Sequence, residues 1–321
     1  AGATHIEEIP VPESWANATT GAAPAKVEAT EYFYDTIVPV LKQEGDTLPV
    51  SKFHPAGVVP TATTQYEKRG IAVNVPCWLS ENCIQCNQCS LVCPHAVIRP
   101  VVLTPEQKAA APESFGTIPA VGKEFTGMEY RIQISPLDCT GCGNCAQVCP
   151  GKKQQKALEM RPLETQTKEQ EANWDYYTKL PDFSLEVNRA TVKGSQFLRP
   201  LFEFSGACAG CGETPYLKLL SQLFGDRMMI GNATGCSSIY GGSSPTCPYS
   251  VNDKGQGPAW ANSLFEDNAE FAFGMQLAML QRRENLAAKI EKLAEALKDW
   301  DEGRAAAEAW LLGKDNAEAS K

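Results

Sequence analysis

Nowhere in these 321 residues does an apolar run approach the roughly 20 residues that a membrane-spanning helix requires, which argues against a membrane protein. No block of lysine and arginine resembles a phosphate-tracking surface, and with a formal net charge of −9 the chain is not expected to bind nucleic acid. There is no basic segment with an apolar one behind it at the start, so no secretory leader is read there, and the first residue is Ala1 rather than Met. Nor is this a small disulfide-stapled scaffold. It has room for about two domains and a sizeable core, and its 13 cysteines are an odd number. Thiols left free point to a reducing compartment, for which the cytoplasm is the natural reading.

The cysteines that are present fall into two runs of the same form. Cys83, Cys86, Cys89 and Cys93 read C-x2-C-x2-C-x3-C followed by Pro94, and Cys139, Cys142, Cys145 and Cys149 repeat the pattern before Pro150. This is the bacterial ferredoxin spacing for 4Fe-4S clusters, in which three close thiolates wrap one corner of a cubane and the fourth reaches the other cluster. Crossed ligation is therefore expected. Cys83, Cys86, Cys89 and Cys149 hold one cluster, and Cys139, Cys142, Cys145 and Cys93 the other. Zinc is the alternative, but it takes four ligands in pairs and leaves the third cysteine of each run unexplained.

Around these runs the text divides. Residues 1–75 are punctuated by proline and read as an extended connector, with a short helix over Tyr32 to Gln43 presenting Phe33, Ile37, Val40 and Leu41. Ile71 to Val75 alternates like a strand. Residues 76–165 form the two-cluster unit, an internal repeat of turn, short helix and strand. Its strands are expected at Ala96 to Leu103 and Glu129 to Ile134, with a loop at Pro112 to Gly127. Cys77, beside Trp78, fits neither ligand set and reads as a packed side chain. The GxGxxA pattern at Gly141, Gly143 and Ala146 is a by-product of the cluster loop. Gln154 to Gln170 is charged and expected to be a linker, as is the whole of 166–200, in which Trp174, Tyr176, Tyr177 and Phe183 read as interdomain packing. Met228 to Asn252 reads as loops. Leu286, Ile290, Leu293 and Leu297 mark one face of a helix over Ala269 to Trp300, broken at Asp301 to Gly303 and resumed over Arg304 to Leu312.

A third cysteine group is weaker by itself. Cys208 and Cys211 lie in FSGACAGCGETPY and Cys236 in GNATGCSSIYGG, and a lone CxxC leaves zinc, a redox dithiol or iron open. Gly206, Gly210 and Gly212 let backbone approach a bulky group. Glu213, Thr214 and Pro215 read as the first turn of a helix that ends near Phe224, offering free N–H groups to an anion.

These motifs, with YEKRGIAV, CIQCNQC and CTGCGNC ahead of them in the same order, closely resemble pyruvate:ferredoxin (pyruvate:flavodoxin) oxidoreductases from about Leu48 to at least Phe273. The resemblance implies an α+β chain: a bacterial two-cluster ferredoxin-like domain joined to part of an α/β thiamine diphosphate-binding domain over 201–321. It implies oxidation of pyruvate with coenzyme A to acetyl-CoA and carbon dioxide. Electrons pass through three 4Fe-4S clusters to ferredoxin or flavodoxin in a homodimer. By position, Cys208, Cys211 and Cys236 hold the cluster beside the thiamine, while Glu213 and Cys236, with Thr234 close by, contact thiamine diphosphate, which the complete enzyme binds with Mg2+. The set with Cys93 is the middle relay and the set with Cys83 the outlet. Three departures mark the chain as an internal or truncated piece that needs the remaining domains of the enzyme. The third cluster lacks its fourth ligand, since Cys247 reads as a packed residue. The diphosphate-clamping Gly-Asp-Gly is absent, and so is the glutamate that activates thiamine. The alternative is a stand-alone electron carrier or adaptor without thiamine chemistry.

Overall fold

The computed structural model describes residues 8, 10–17, 28–297 and 300–316; the rest of the expected connector lies outside them. The described residues up to Val73 form coil and short helical turns, with no strand among them. A π-helical turn, Phe33–Ile37, runs into α1 (Val38–Leu41) where the helix was expected. It buries Phe33 and Ile37, but Leu41 is exposed and does not share their face. The chain then lies along another part of the protein: Ala62 N–H donates to the Tyr249 carbonyl at 2.7 Å, and Thr64 Oγ1 to the Glu203 carbonyl at 2.9 Å. A segment that cannot build its own core is thus tied down by backbone hydrogen bonds to its neighbour.

Two antiparallel layers face each other across the cysteine runs. β1 (Asn74–Trp78) leads into the first run, and α2 (Gln88–Leu91) carries part of it. β2 (Ile98–Leu103) follows, then α3 (Pro105–Ala110), a short β3 (Ile118–Pro119) and β4 (Glu129–Ile134). After the second run and α4 (Asn144–Val148), β5 (Leu158–Pro162) returns to pair with β1. β2 pairs with β4 in the register Ile98↔Ile134, Pro100↔Ile132 and Val102↔Tyr130. That alternation turns Ile98, Tyr130, Ile132 and Ile134 toward the cysteines, and Arg99, Val101, Arg131 and Gln133 away from them.

Several expectations give way to pairing and packing. Ile71 and Val73 are exposed, and the strand begins at Asn74, because only residues 74–78 find β5 opposite them. Residues 154–170, read as linker, supply β5 and the start of α5 (Leu163–Tyr177). The loop expected at 112–127 holds β3. Ahead of it α3 is closed by a capping box between Thr104 and Gln107 with Pro105 in the first turn. Residues 178–200, with α6 (Val192–Ser195), are bound into the core through an aromatic chain: Phe183 stacks on Phe197 at 5.1 Å, and Phe197 meets Phe125 at 5.2 Å and Tyr130 at 6.3 Å. Charge pattern reads the solvent side of such a stretch and is silent about the few aromatics that anchor it.

The C-terminal part has the order α7 (Thr214–Phe224), β6 (Met229–Asn232), α8 (Cys236–Ser238), β7 (Ala259–Asn262), α9 (Asn268–Ala296) and α10 (Asp301–Gly313). β6 and β7 are parallel, so residues 228–252, read as loops, hold a strand and a helical turn. Asp301 to Gly303, read as a break, is the first turn of α10, where Asp301 and Glu302 complement the positive helix end; α9 ends at Ala296 instead. Of α9 only Ala287 is buried, and Leu286 and Leu293 are about half exposed, so the apolar stripe is incompletely covered. No helix among the described residues is long and apolar enough to cross a membrane.

The ferredoxin-like layers meet the C-terminal part through a buried ion pair. Arg99 Nη2 donates to Glu203 Oε2 at 2.5 Å, with the guanidinium against the rings of Trp174 and Phe204. Arg99→Met is expected to cost about 3–5 kcal/mol by stranding the Glu203 carboxylate, whereas Arg99→Met with Glu203→Leu recovers most of that loss. Anaerobic urea unfolding of both variants checks it.

Candidate metal centres

Each cysteine run turns through two residues in left-handed conformation at equal offsets. In the second run these are Gly141 (φ 72°) and Gly143 (φ 77°); in the first they are Gln85 (φ 57°) and Asn87 (φ 61°). Glycine adopts this conformation freely, and other residues do so at a cost. Here two hydrogen bonds to each buried side chain hold it. Gln85 Nε2 donates to the Pro119 carbonyl and Gln85 Oε1 accepts from Val121 N–H, both at 2.8 Å. Asn87 Nδ2 donates to the Lys193 carbonyl at 2.8 Å and Asn87 Oδ1 accepts from the Tyr130 hydroxyl at 2.7 Å. The insertion between the runs therefore props the first cysteine loop.

The loops line two small cavities between the layers. Cys83, Cys86 and Cys89 line the first together with Cys149 of the other run, walled by Trp78, Tyr130, Ile132 and Leu158. Cys139, Cys142 and Cys145 line the second together with Cys93, beside Pro76, Ile98 and Met160. All thirteen cysteines are free thiols. Among the described residues no group of three or more His, Cys, Asp or Glu side chains closes around a single ion. Four thiols around each cavity, in the ferredoxin spacing, are the donor set that a 4Fe-4S cluster takes.

The cavity walls also fit a cluster. Backbone N–H groups of Gln85 and Gly141 approach the sulfurs of Cys83 and Cys139 at 3.4 Å, and Ala157 N–H approaches Cys149 at 3.3 Å. The Trp78 indole N–H is aimed at the Cys83 sulfur too loosely to make a full bond, and Nε1 is buried with no partner. A thiolate is the acceptor that this donor lacks. In the metal-free protein burial pushes the Cys89 thiol well up and the Cys139 thiol up to about 12, so taking up metal expels protons. Cys77 is half-buried on β1 opposite Glu159 and lines neither cavity.

The third cysteine group sits against the second cavity. Its loop begins at Phe204, held left-handed (φ 56°) by an N–H bond to the His95 carbonyl and by its ring against Trp174. His95 lies with Nδ1 3.0 Å from the Ser205 carbonyl and Nε2 3.3 Å from the Cys208 carbonyl. A Cβ added to Gly210 (φ 75°) would meet Cys142 at 3.6 Å. Gly206 and Gly212 face open space or distant contacts and show no such approach. Glu67, Lys68 and Arg69 clamp this junction. Thr246 Oγ1 donates to Glu67 Oε1, Lys68 Nζ pairs with Asp138 at 2.6 Å, and Arg69 Nη2 donates to the Ser205 carbonyl at 3.1 Å. Sequence reading used YEKRGIAV only as a likeness; the clamp needs partners 70 to 179 residues away.

Cys208 and Cys236 are exposed, and Cys211 is half-buried. Cys247 is buried among Phe202, Tyr240 and Tyr249, as a packed residue would be. Glu213 precedes α7, and Thr234 and Cys236 follow the carboxyl end of β6, beside which the carboxyl end of β7 lies through an Asn232–Asn262 side-chain bond of 2.8 Å. α7 ends where β6 begins, so its start returns toward that same end. Thr214 Oγ1 and the Tyr240 hydroxyl are buried there with no partner; burial first and then Glu213 push the phenol up. Gly241 and Gly242, in contrast, make room for the Trp260 ring, which a Cβ would meet at 2.8 and 3.0 Å. That part of the motif packs.

The thiol shifts give a pH dependence with a definite sign. Cys139 is raised in the folded metal-free chain, so its contribution to stability is whole below the ordinary thiol range of about 8.5 and is lost as pH rises toward 12. The metal-free chain is expected to melt progressively lower from about pH 8 to about pH 11, and the iron-loaded chain, its thiols already deprotonated, to show a much flatter profile. Parallel thermal melts measure both.

A family described as a 4Fe-4S dicluster domain matches residues 82–153, and one described as a domain of unknown function matches residues 20–72. Over 316 residues the chain is 60% identical to the pyruvate:ferredoxin oxidoreductase of Moorella thermoacetica, covering 98% of this chain and 27% of that protein. The pyruvate-flavodoxin oxidoreductase of Enterobacter agglomerans is 50% identical over 327 residues, 100% of this chain and 27% of the relative. The mitochondrial pyruvate dehydrogenase (NADP+) of Euglena gracilis is 50% identical over 314 residues, 92% of this chain and 17% of the relative. Nearly the whole chain is therefore homologous to a portion of the pyruvate:ferredoxin and pyruvate-flavodoxin oxidoreductases, spanning 27% of their length and including their 4Fe-4S dicluster domain.

Proposed function

We propose that this chain is the electron-relay portion of an enzyme that oxidatively decarboxylates pyruvate with coenzyme A, passing electrons to ferredoxin or flavodoxin in a reducing compartment, the cytoplasm. One observation carries the relay: each cavity is lined by three thiols of one cysteine run and the fourth thiol of the other. A 4Fe-4S cluster, when bound, takes up and passes on one electron. The chain's own part is to supply four thiolates to each, direct N–H groups at the sulfurs of Cys83, Cys139 and Cys149, and exclude water with Trp78, Tyr130, Ile98 and Met160. The set with Cys93 is the middle relay, since His95 and Gly210 bring the Cys208 loop against it, and the set with Cys83 is the outlet.

Cys208, Cys211 and Cys236 are assigned to a third cluster completed by a ligand from outside this chain. Glu213, Thr234 and Cys236 are assigned to thiamine diphosphate, on the support that they gather at the carboxyl end of a parallel strand pair, where α/β folds bind ligands. The Mg2+ clamp, the substrate side-chain pocket and the homodimer belong to the remaining domains.

Crossed ligation makes the first test sharp. Cys83→Ala with Cys149→Ala is expected to remove one cubane, about four iron atoms, and Cys83→Ala with Cys93→Ala to remove both; iron and sulfide analysis with electron paramagnetic resonance distinguishes them. Equal losses in the two pairs would break the assignment. The chain alone is expected to form no acetyl-CoA from pyruvate, and to do so once joined to the remaining domains; turnover by the isolated chain refutes that division of labour.

A further inference from the structure

α7 buries an unusual face. Thr214, Lys218, Ser221 and Gln222 point inward, while Tyr216, Leu220 and Phe224 are exposed. Lys218 is the extreme case at 1% exposure. Its ammonium donates to the carbonyls of Ser90 and Leu91, the latter at 3.1 Å, in the turn that joins Cys89 of the first cavity to Cys93 of the second. The ionisable groups that act on it are Cys93, Arg99 and Cys89; no carboxylate is among them. Around it the contacts are polar and neutral. Ser221 Oγ accepts from Leu201 N–H at 3.0 Å, Gln222 Nε2 donates to the Leu198 carbonyl at 2.7 Å, and Gln196 Nε2 donates to Gln222 Oε1 at 3.0 Å.

A buried ammonium without an anion is costly, and burial here lowers its pKa to about 8. Capping the last carbonyls of α2 does not by itself call for a charge, since a neutral amide donates as well. What does call for one is the anionic character of four thiolates around an iron-sulfur core, on either side of this turn. On the reading of the cavities given above, we propose that Lys218 is the buried counter-charge of the paired clusters and sets their reduction potentials. It stabilises the reduced, more negative state, most strongly for the cluster held by Cys93, Cys139, Cys142 and Cys145. Lys218 is a positioning residue in this sense: it touches neither substrate nor iron and acts through the field at the sulfurs. Because it rides on α7, four residues after Thr214, it also ties the helix that starts at Glu213 to the relay.

The test is an anaerobic redox titration of the iron-loaded chain followed by electron paramagnetic resonance, after iron and sulfide have been counted. Iron absent from the unaltered chain would mean the cluster reading itself fails, separately from this proposal. Lys218→Met and Lys218→Gln are expected to lower the potential of the Cys93-containing cluster by at least tenfold in the one-electron equilibrium, about 59 mV, with a smaller change at the other. Lys218→Arg stays within about threefold, because it keeps the charge. Lys218→Gln retains N–H donors for both carbonyls, so it decides the matter if Lys218→Met does not load its iron. Full iron with unmoved potentials in Lys218→Gln overturns the proposal and leaves Lys218 a helix cap. Loss of iron from both neutral variants but not from Lys218→Arg supports it, and loss from all three overturns it.

Discussion

The structure depends on one constraint: neither cysteine run can complete a four-thiol set alone. Three cysteines close in sequence leave the fourth, turned away by the following proline, on the far side of the next cavity. Both runs must therefore fold against each other at once. The strand pairs are the means, with β1–β5 on one side and β2–β4 on the other. Their alternation presents Trp78, Pro76, Leu158 and Met160 from one layer and Ile98, Tyr130 and Ile132 from the other to the cavities. The remaining face of β2–β4 is then free to bury Arg99, Arg131 and Gln133 against α5 and the C-terminal part.

A second consequence is the polar character of the junction between the ferredoxin-like layers and the rest. Lys68, His95, Arg99 and Lys218 reach across it, to backbone carbonyls or to a single carboxylate, while Glu67 and Arg69 tie the connector to the C-terminal part. Hydrophobic contact alone tolerates sliding, whereas directional hydrogen bonds of this kind hold a register. For the electron relay proposed above, a held register is the useful property. The Cys208 loop is seated on His95 by such a bond, with Gly210 close against Cys142, while the Cys208 thiol stays exposed.

Much of the site was legible before the fold. The cysteine spacing alone predicts two crossed sets of four, and the structure groups the same thiols around the two cavities. β4 at Glu129–Ile134 and α7 up to Phe224 were legible from pattern and capping residues. Other elements were not. Leu158–Pro162 became a strand only because β1 lies beside it, Trp174 is buried because Phe204 comes to meet it, and Gln85 holds its left-handed turn because Pro119 and Val121 accept and donate at the right distance. None of those partners is a sequence neighbour.

By itself, then, the sequence determined the chemistry: which thiols exist, how they are spaced, and which side chains could face an anion. Tertiary structure decided the environment of that chemistry. It chose that Cys247 is packed away while Cys208 and Cys236 stay exposed, that Trp78 aims an unpaired N–H at Cys83, and that a lysine on a distant helix sits between the two cavities. The reason is physical. Metal ligation is set by short-range bond geometry that a dozen residues can encode, whereas burial and field depend on which remote surfaces close over a site, and that is a property of the whole fold.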